Sequence, residues 1–291
     1  VGRRALTVAD SAIAGIDHTL VGVRDLEAAR AAWQRLGFNI TPRGRHIGWG
    51  TGNYCIMLER GYIELLGVVD PAQFTNDLDK FLAGREGLLG LAFRSRDNDR
   101  TAHWLRDRGL TADGPKDLKR ALELPEGEAL PAFRLVSTQP DATPGLRAFF
   151  CQHLSPDIVR REGWLVHPIR AVALKTVVAV VERPAELASA YARLFGGDAV
   201  VTEDESLRVD TGEGELLFVT ADGLRRLYPG LDLPRLPLPS IAAMRIGVLI
   251  LVDAVDYLDA KGVRFAGTKD GVAVAPDQAT GAIVEFVSMA D

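Results

Sequence analysis

Two residues of metal-binding type occur in the first quarter of the chain, on segments with the pattern of β-strands. His18 lies in residues 16–23, and Glu64 lies in residues 62–66. A neutral imidazole and a carboxylate are common ligands of divalent ions, and they converge when their strands share one concave sheet face. We therefore predict that His18 and Glu64 bind a metal ion, with Glu64 also the candidate catalytic residue.

Both residues also have an ordinary structural interpretation. A single histidine on a strand is often hydrogen-bonded within the core or at a sheet edge, and Glu64 could face solvent. An inward carboxylate between the apolar pairs at 62–63 and 65–66 is costly unless it is paired or bound to metal. The sequence alone leaves both interpretations open.

A third ligand would come from the run Phe-Phe-Cys-Gln-His at residues 149–153. Gln152 and His153 are adjacent, so their side chains point to opposite faces of a strand. A regular strand would place Gln152 with Phe150, the residue nearest to the position of Glu64 in the repeat, on the metal-binding face. A bulge before the following Ser-Pro turn would place His153 there instead. We favour His153 because imidazole is the stronger ligand; otherwise it is a strand-end histidine bonded to that turn.

Four residues before the third strand are candidates for substrate contacts. Trp49 offers an apolar wall, and Asn53 offers a donor and an acceptor. The full set of candidates is Arg43, His46, Trp49 and Asn53. The alternative is that the glycine-rich residues 48–52 form a bulged strand entry whose tryptophan packs on the sheet.

The elements that must position these residues recur four times. Each unit has an apolar strand, a charged helix that ends at a glycine, and three further strand-like runs. The glycines are Gly37, Gly109, Gly196 and Gly262, where a helix C-cap needs a left-handed residue. Aligning the first two glycines places Gly90 at the position of His18, so the second unit offers no histidine there. One βαβββ unit cannot close a core alone, so the units must pair.

We predict an α+β fold in which four βαβββ modules pair into two cupped mixed β-sheets with flanking helices. The expected domains are residues 14–156 and 170–291, joined by a linker at 157–169. Further expectations are a strand at 38–40, an opening strand of the fourth unit at 246–252, and a shortened helix at 255–261.

The second half offers fewer metal ligands than the first. Glu285 lies at the ligand position of its closing strand, but Val177 occupies the place of His18. A single carboxylate binds metal poorly, so we expect a degenerate domain that serves packing or dimerisation, with Glu285 facing outward. A homodimer is one option that this leaves open.

Composition and charge exclude some partners. The chain has 291 residues and a formal net charge of -5, which disfavours nucleic-acid binding through phosphate neutralisation. Cys55 and Cys151 are isolated, as expected of reduced thiols. Residues 1–14 lack the apolar core of a secretion signal, and no apolar run is long enough to span a membrane. We expect a cytoplasmic protein with a small-molecule substrate or ligand and no membrane partner.

The first 156 residues resemble the vicinal oxygen chelate superfamily, which includes glyoxalase I, the bleomycin- and fosfomycin-resistance proteins and the extradiol dioxygenases. The resemblance is closest to bacterial glyoxalase-like domain proteins. It is carried by Ile-Asp-His at 16–18, Gly-Trp-Gly-Thr-Gly-Asn at 48–53, Gly-Tyr-Ile-Glu-Leu-Leu-Gly at 61–67, and Phe-Phe-Cys-Gln-His-Leu-Ser-Pro at 149–156. The last block is the most distinctive.

The resemblance implies a cupped cavity that holds a divalent metal, with His18 and Glu64 as ligands and a substrate that chelates the ion through oxygen. Lyase, isomerase or ring-cleaving dioxygenase chemistry would follow, and Fe, Mn, Zn, Ni and Co are not distinguished. Enzymes of the superfamily usually have three or four protein ligands, and Gly90 replaces one of them here. The alternatives are therefore a metal-free protein that binds or sequesters a small molecule on the same scaffold, or a structural and interaction role.

Overall fold

A computed structural model describes residues 12–289 of the chain. Most of the N-terminal stretch that was expected not to be a secretion signal therefore lies outside the described residues. Within residues 12–289, no helix is both long and apolar enough to cross a membrane.

Two mixed β-sheets dominate the fold. The first contains β1 Ile13–Gly22, β2 Gly44–His46, β3 Thr51–Met57, β4 Tyr62–Val68, β5 Gly87–Ser95, β6 Asp113–Leu124, β7 Gly127–Ala129, β8 Ala132–Ser137 and β9 Ala148–His153. The second contains β10 Ala171–Val180, β11 Val200–Glu203, β12 Ser206–Asp210, β13 Glu215–Val219, β14 Ser240–Val248, β15 Phe265–Gly267, β16 Gly271–Val274 and β17 Ile283–Ser288.

The described residues also form eight α-helices. They are α1 Leu26–Arg35, α2 Leu78–Gly84, α3 Asn98–Arg106, α4 Pro156–Val159, α5 Glu162–Leu165, α6 Ala188–Phe195, α7 Ala221–Leu227 and α8 Leu251–Ala260. The start of α1 shows why these segments are helical: the Asp25 side chain accepts hydrogen bonds from the backbone N–H groups of Glu27 and Ala28 at 2.9 and 3.0 Å. Gly37 ends the turn at φ 91°, as the repeat predicted.

The strand order of the first sheet is β2-β3-β4-β1-β5-β9-β8-β6-β7, and β2 also pairs with β6. That extra pairing, with His46 opposite Arg120, bends the sheet round into a barrel-like cup, which we call the first cup. The second sheet has the order β11-β12-β13-β10-β14-β17-β16-β15 and stays open. The predicted α+β class and the two cupped mixed sheets are confirmed, whereas the domain boundaries stay a prediction.

Strand pairing gives the equivalent positions of the two modules in the first cup. β1 and β5 are antiparallel, with His18 opposite Ala92 and Leu20 opposite Gly90. The helices that follow the two strands set the correspondence, because α1 begins at Leu26 and α3 begins 72 residues later at Asn98. The same offset places Gly90 at the position of His18 and Ala92 at that of Leu20, as the sequence alignment predicted. In the parallel pairs, Leu20 lies opposite Glu64 and Ala92 lies opposite Phe149. The counterpart of Glu64 is thus Phe149, and the expected Phe150 is wrong by one residue.

Three expected elements differ from the structure. Residues 38–40 form no strand; Phe38 and Ile40 are buried in the core without ladder hydrogen bonds, and the short strand β2 follows them. The opening strand of the fourth unit is β14 rather than residues 246–252. The helix expected at 255–261 begins earlier, at Leu251, and α8 is as long as α1. The continuous apolar run from 246 to 252 spans the end of a strand and the start of a helix, so periodicity could not divide it.

The second half departs from expectation at Glu285, which is 1% exposed rather than outward-facing. Its Oε2 accepts hydrogen bonds from Tyr228 Oη at 3.0 Å and Arg245 Nε at 2.7 Å, and its Oε1 accepts one from Thr268 Oγ1 at 2.6 Å. Apolar residues of α7 and of the proline-rich segment 228–239 pack against the concave face of this sheet. The concave face of the second sheet is therefore covered by the chain itself.

Strand register also corrects the predicted counterpart of His18 in the third unit. Val178 lies opposite Leu217 in the parallel pair of β10 and β13, as Leu20 lies opposite Glu64. The residue two positions before Val178 is Thr176, so Thr176 and not Val177 matches His18. The conclusion that this unit lacks the histidine is unchanged.

Candidate functional site

The first cup encloses a cavity of about 600 Å³. Its walls are largely apolar and aromatic, and its polar lining includes His18, His46, Glu64 and Arg120. A larger cavity of about 720 Å³ lies between the two halves, and no histidine is among its lining residues. Its basic side chains Arg208, Arg245 and Lys175 are bonded to Glu215, Glu285 and the Ser288 carbonyl, and its Arg60 contacts Met289 Sδ at 3.8 Å. The two histidines and the buried carboxylate of the first cup therefore make that cup the candidate site.

His18 is held on β1 by two contacts. Its Nδ1 lies 2.8 Å from Asp17 Oδ2, and its ring stacks on Tyr62 with ring centroids 4.2 Å apart. Because an ionised carboxylate only accepts hydrogen bonds, Nδ1 carries the proton of this bond. The other nitrogen, Nε2, lies 3.6 Å from Glu64 Oε2.

His46 approaches the same carboxylate from β2. Its Nδ1 lies 2.9 Å from Thr51 Oγ1, and its Nε2 lies 3.7 Å from Glu64 Oε1. Burial lowers the pKa of His46, and the attraction of Glu64 only partly offsets this. The imidazole is therefore neutral at neutral pH, the form in which histidine binds metal.

Glu64 is 5% exposed and lies between the two histidines. Burial alone would raise the pKa of its carboxyl group, but the two imidazoles, which attract the carboxylate once they are protonated in acid, the Arg120 guanidinium and a hydrogen bond from Asn53 together lower it. That bond joins Asn53 Nδ2 to Glu64 Oε1 at 2.5 Å. Glu64 is therefore ionised at neutral pH despite its burial.

These donors fit a divalent cation. Distances of 3.6 and 3.7 Å are too long for hydrogen bonds, yet two ligands bonded to one ion at about 2.0–2.2 Å stand about 3–4 Å apart. The second nitrogen of each imidazole is already held by Asp17 or Thr51, which is the usual outer arrangement of metal-binding histidines. Glu64 can thus share an ion with His18 through one oxygen or with His46 through the other, but the ligand atoms of the three residues do not all lie within 4.8 Å of one another, so the site would have to contract for one ion to bind all three.

Within residues 12–289, the one group of at least three potential His, Cys, Asp or Glu ligands whose atoms all lie within 4.8 Å of one another consists of Asp17, Cys151 and His153. Asp17 Oδ2 is already bonded to His18 Nδ1 and, at 2.9 Å, to His153 Nε2, while its Oδ1 is bonded to Arg94. Burial opposes ionisation of Asp17, but His153 and His18 hold its pKa well below the usual value. Burial raises the pKa of the Cys151 thiol, so it stays protonated. This group is better suited to orienting His18 than to forming an open metal site.

The expected faces of β9 are wrong. The strand is regular from Phe149 to His153, and Phe149 and Cys151 line the cavity. Gln152 lies on the opposite face, where its side chain accepts a hydrogen bond from Asn98 N at 3.0 Å and donates one to Arg96 O at 3.1 Å. The His153 side chain lies on the same face as Cys151, although the strand has no bulge. It is hydrogen-bonded to Asp17, and it lines neither the cavity nor the Ser-Pro turn.

The four candidate contact residues lie in different places. His46 and Trp49 line the cavity, Asn53 is buried behind Glu64, and Arg43 is absent from the cavity wall. Trp49 packs edge-on against Phe74 at 5.1 Å, and Phe74 is 59% exposed at the mouth.

Sequence reasoning missed Asp17, Phe74 and Arg120. The only available signal was the position of Asp17 directly before His18. Arg120 lies on β6 with Lys116 and Lys119, and its residue type does not distinguish it from these two exposed cations.

The comparisons with known proteins agree with this fold. The sequence model of the family described as "Glyoxalase-like domain" matches residues 16–195, which is more than half of the chain. No curated protein sequence matches the chain. A hypothetical protein from Staphylococcus aureus has a similar structure, with a TM-score of 0.66, 14% identity, and coverage of 94% of this chain and 99% of that one.

A mutant of 4-hydroxymandelate synthase from Streptomyces coelicolor gives a TM-score of 0.59 at 13% identity, covering 95% of this chain and 92% of that one. A xylose isomerase-like TIM barrel/4-hydroxyphenylpyruvate dioxygenase fusion protein gives 0.53 at 15% identity, covering 88% and 40%. At these identities the structural similarity shows the fold alone. The match over residues 16–195 shows that the chain belongs to the glyoxalase-like domain family.

Proposed function

We propose that the protein is a divalent-metal-dependent enzyme of the glyoxalase-like type, and that His18, His46 and Glu64 bind the metal in the first cup. The observation that carries this proposal is the approach of two imidazole Nε2 atoms to one ionised, buried carboxylate without a hydrogen bond to it. If both nitrogens present lone pairs, the three groups repel one another unless a cation lies between them. In this proposal His46 is the third metal ligand, the role that the sequence suggested for Gln152 or His153.

The chain's own residues would prepare the site. Asp17 holds the Nδ1 proton of His18, and Thr51 orients the His46 ring. Asn53 fixes Glu64 through Oε1, whereas Glu64 Oε2 receives no hydrogen bond from the described residues. Oε2 is therefore the atom best placed to accept a proton from a substrate. When bound, a divalent ion would act as a Lewis acid toward substrate oxygens.

Metal content tests the proposal. We expect close to one divalent ion per chain in wild-type protein that is purified without a histidine tag and reconstituted with Fe, Mn, Zn, Ni or Co. His18→Gln and His46→Gln should each lose most of this ion, while His103→Gln, an exposed histidine on α3, should keep it. Burial lowers the pKa of His46, so affinity should fall as the pH drops below the ordinary histidine value of about 6.5, where protons compete for this imidazole.

The second candidate function is metal-free binding or sequestration of a small molecule in the same cup. In the second module of the first cup, Gly90 and Phe149 occupy the positions of His18 and Glu64, so this module supplies no ligand there. The Arg120 cation lowers the pKa of Glu64 without any metal. A metal content below about a tenth of an ion per chain after reconstitution, against a stoichiometric expectation, would favour this function.

The division into domains at 14–156 and 170–291 is part of the same proposal.

A further inference from the structure

We propose that Arg120 binds an anionic group of the ligand, and that the first cup takes small molecules with a carboxylate on an apolar, ring-sized body. This inference rests on the proposed function only in taking the first cup as the substrate site. It adds a chemical class of substrate and a residue that selects it.

Arg120 is a buried cation with few partners. It is 5% exposed, and its Nη1 donates a hydrogen bond to Cys55 Sγ at 2.9 Å. Its Nε has no hydrogen-bond partner within the described part of the chain, and no carboxylate oxygen of those residues lies within 4.0 Å of the guanidinium. A guanidinium has five N–H donors, and a buried charge without a partner is costly. An anionic ligand would complete this group.

The one partner that Arg120 has does not neutralise it. Burial raises the pKa of the Cys55 thiol to about 11, so the sulfur is uncharged at neutral pH. Glu64 attracts the guanidinium only from beyond ion-pair distance, and its carboxylate is already shared by Asn53 and the two histidines. With a divalent ion on Glu64, the interior of the cup would carry an excess of positive charge.

The chain makes room for Arg120 in this position. A Cβ atom on Gly44 of β2 would lie 2.8 Å from Arg120 Cδ, so the side chain crosses β2 where that strand has no side chain of its own. The guanidinium lies 5.7 Å from the centroid of the Phe133 ring. The pairing of Arg120 with His46 across β2 and β6 places both on the closing seam of the cup.

The remaining lining determines the body of the ligand. Leu20, Leu66, Leu89, Phe133 and Phe149 supply apolar and aromatic walls, and Trp49 stands at the mouth. Four exposed charged residues also line the cavity, Asp113, Lys116, Asp117 and Arg147. Both cations among them already have partners, since Lys116 is paired with Asp113 and Arg147 donates to the Asn76 carbonyl. A cavity of about 600 Å³ lies within the usual range for small-molecule sites. Arginine is suited to planar carboxylates, which its fork binds through two hydrogen bonds. An ammonium group in the same place would be repelled.

Fluorine NMR can test the inference with 3-(4-fluorophenyl)propionate as the acid probe and its primary amide as the uncharged probe of the same shape. We expect wild-type protein to bind the acid about tenfold or more tighter than the amide. Arg120→Gln should reduce acid binding to the level of the amide. Lys119→Gln removes the same charge from the next residue of β6, which is exposed and lies outside the cavity wall, so it should change acid binding by less than about twofold.

Arg120→Lys should give intermediate binding, since it keeps the charge but loses the fork. If Arg120→Gln does not fold, this variant and the wild-type comparison of acid with amide still decide the question. An acid that binds no tighter than the amide, or not at all at millimolar concentration, overturns the inference.

Each measurement is repeated with and without a metal chelator. Acid binding that depends on Arg120, in protein that takes up less than about a tenth of an ion per chain after reconstitution, would support this inference while refuting the metal-dependent function. Stoichiometric metal without a preference for the acid would do the reverse.

Discussion

Gly44 is the position where a single methyl group should disturb the site most. The Cβ atom of an alanine at 44 would lie 2.1 Å from Asn53 Oδ1 and 2.8 Å from Arg120 Cδ, well inside the usual carbon contact distance of about 3.5–4.0 Å. Asn53 is short and fully buried, so its amide cannot move the oxygen away without moving the nitrogen bonded to Glu64. Gly44→Ala should therefore weaken the hydrogen bond that fixes the carboxylate.

The size of the effect follows from two contributions. Overpacking a filled region typically costs about 1–3 kcal/mol, and weakening a hydrogen bond to a buried charged group costs about 1–3 kcal/mol. We expect the free energy of unfolding of Gly44→Ala to fall by about 2–6 kcal/mol. Metal affinity should fall about 10–100-fold, as is typical when a partner of a metal ligand is lost.

Urea denaturation and metal titration measure both effects. Gly84→Ala is the matched control, because Gly84 ends α2 at the surface and a Cβ there meets nothing within 4 Å. In Gly44→Ala combined with Asn53→Ala the nearest clash is removed, so the two changes together should cost less than their sum. A Gly44→Ala protein within about 0.5 kcal/mol of wild type, with unchanged metal affinity, would refute this account of the site.

Two further predictions concern side chains around the first cup. Asp17→Asn keeps an acceptor but removes the charge that orients His18, so we expect metal affinity to fall about 10–100-fold with little change in circular dichroism; unchanged affinity would count against the orienting role. Burial lowers the pKa of His167, whose ring nitrogens lie 2.9 and 2.8 Å from backbone N–H and C=O groups. The unfolded chain then binds the proton more readily, so stability should be fully present above about pH 6.5 and decline below it by at most about 1.4 kcal/mol per pH unit. His167→Asn should reduce this slope in urea denaturation, whereas His103→Asn on the surface should leave it unchanged.

The repeat and the alternation of apolar residues carried most of the information about the fold. Glycines that end helices are local signals, and Gly37 ends its turn with a positive φ as expected. The errors occurred where tertiary context decides the structure. The apolar run from 246 to 252 contains the end of β14 and the start of α8, and nothing local marks the junction between them.

The site was less accessible to sequence reasoning because it depends on a pairing between distant strands. His46 and Arg120 become neighbours only when β2 closes onto β6, and the two residues are far apart in sequence. The faces of β9 were misassigned by one residue because Phe149 and Phe150 are both apolar, so alternation could not show which one faces the cup. A strand register is fixed by the whole sheet, whereas a glycine cap is fixed by its own turn.

The two halves explain why the first cup, and not the second, offers a site. Glu64 and Glu285 occupy the same place in their modules, each opposite a residue of its own opening strand: Leu20 for Glu64 and Arg245 for Glu285. Arg245 is a cation from the neighbouring strand, and it bonds Glu285 at 2.7 Å, so that carboxylate is neutralised within the sheet. Leu20 carries no charge and cannot neutralise Glu64 in the same way. The charge of Glu64 is left to Asn53 and to two histidines that stop short of hydrogen-bond distance. The same fold thus buries a carboxylate twice, and only Glu64, which has no cation within ion-pair distance on its neighbouring strand, keeps an oxygen that can bind something else.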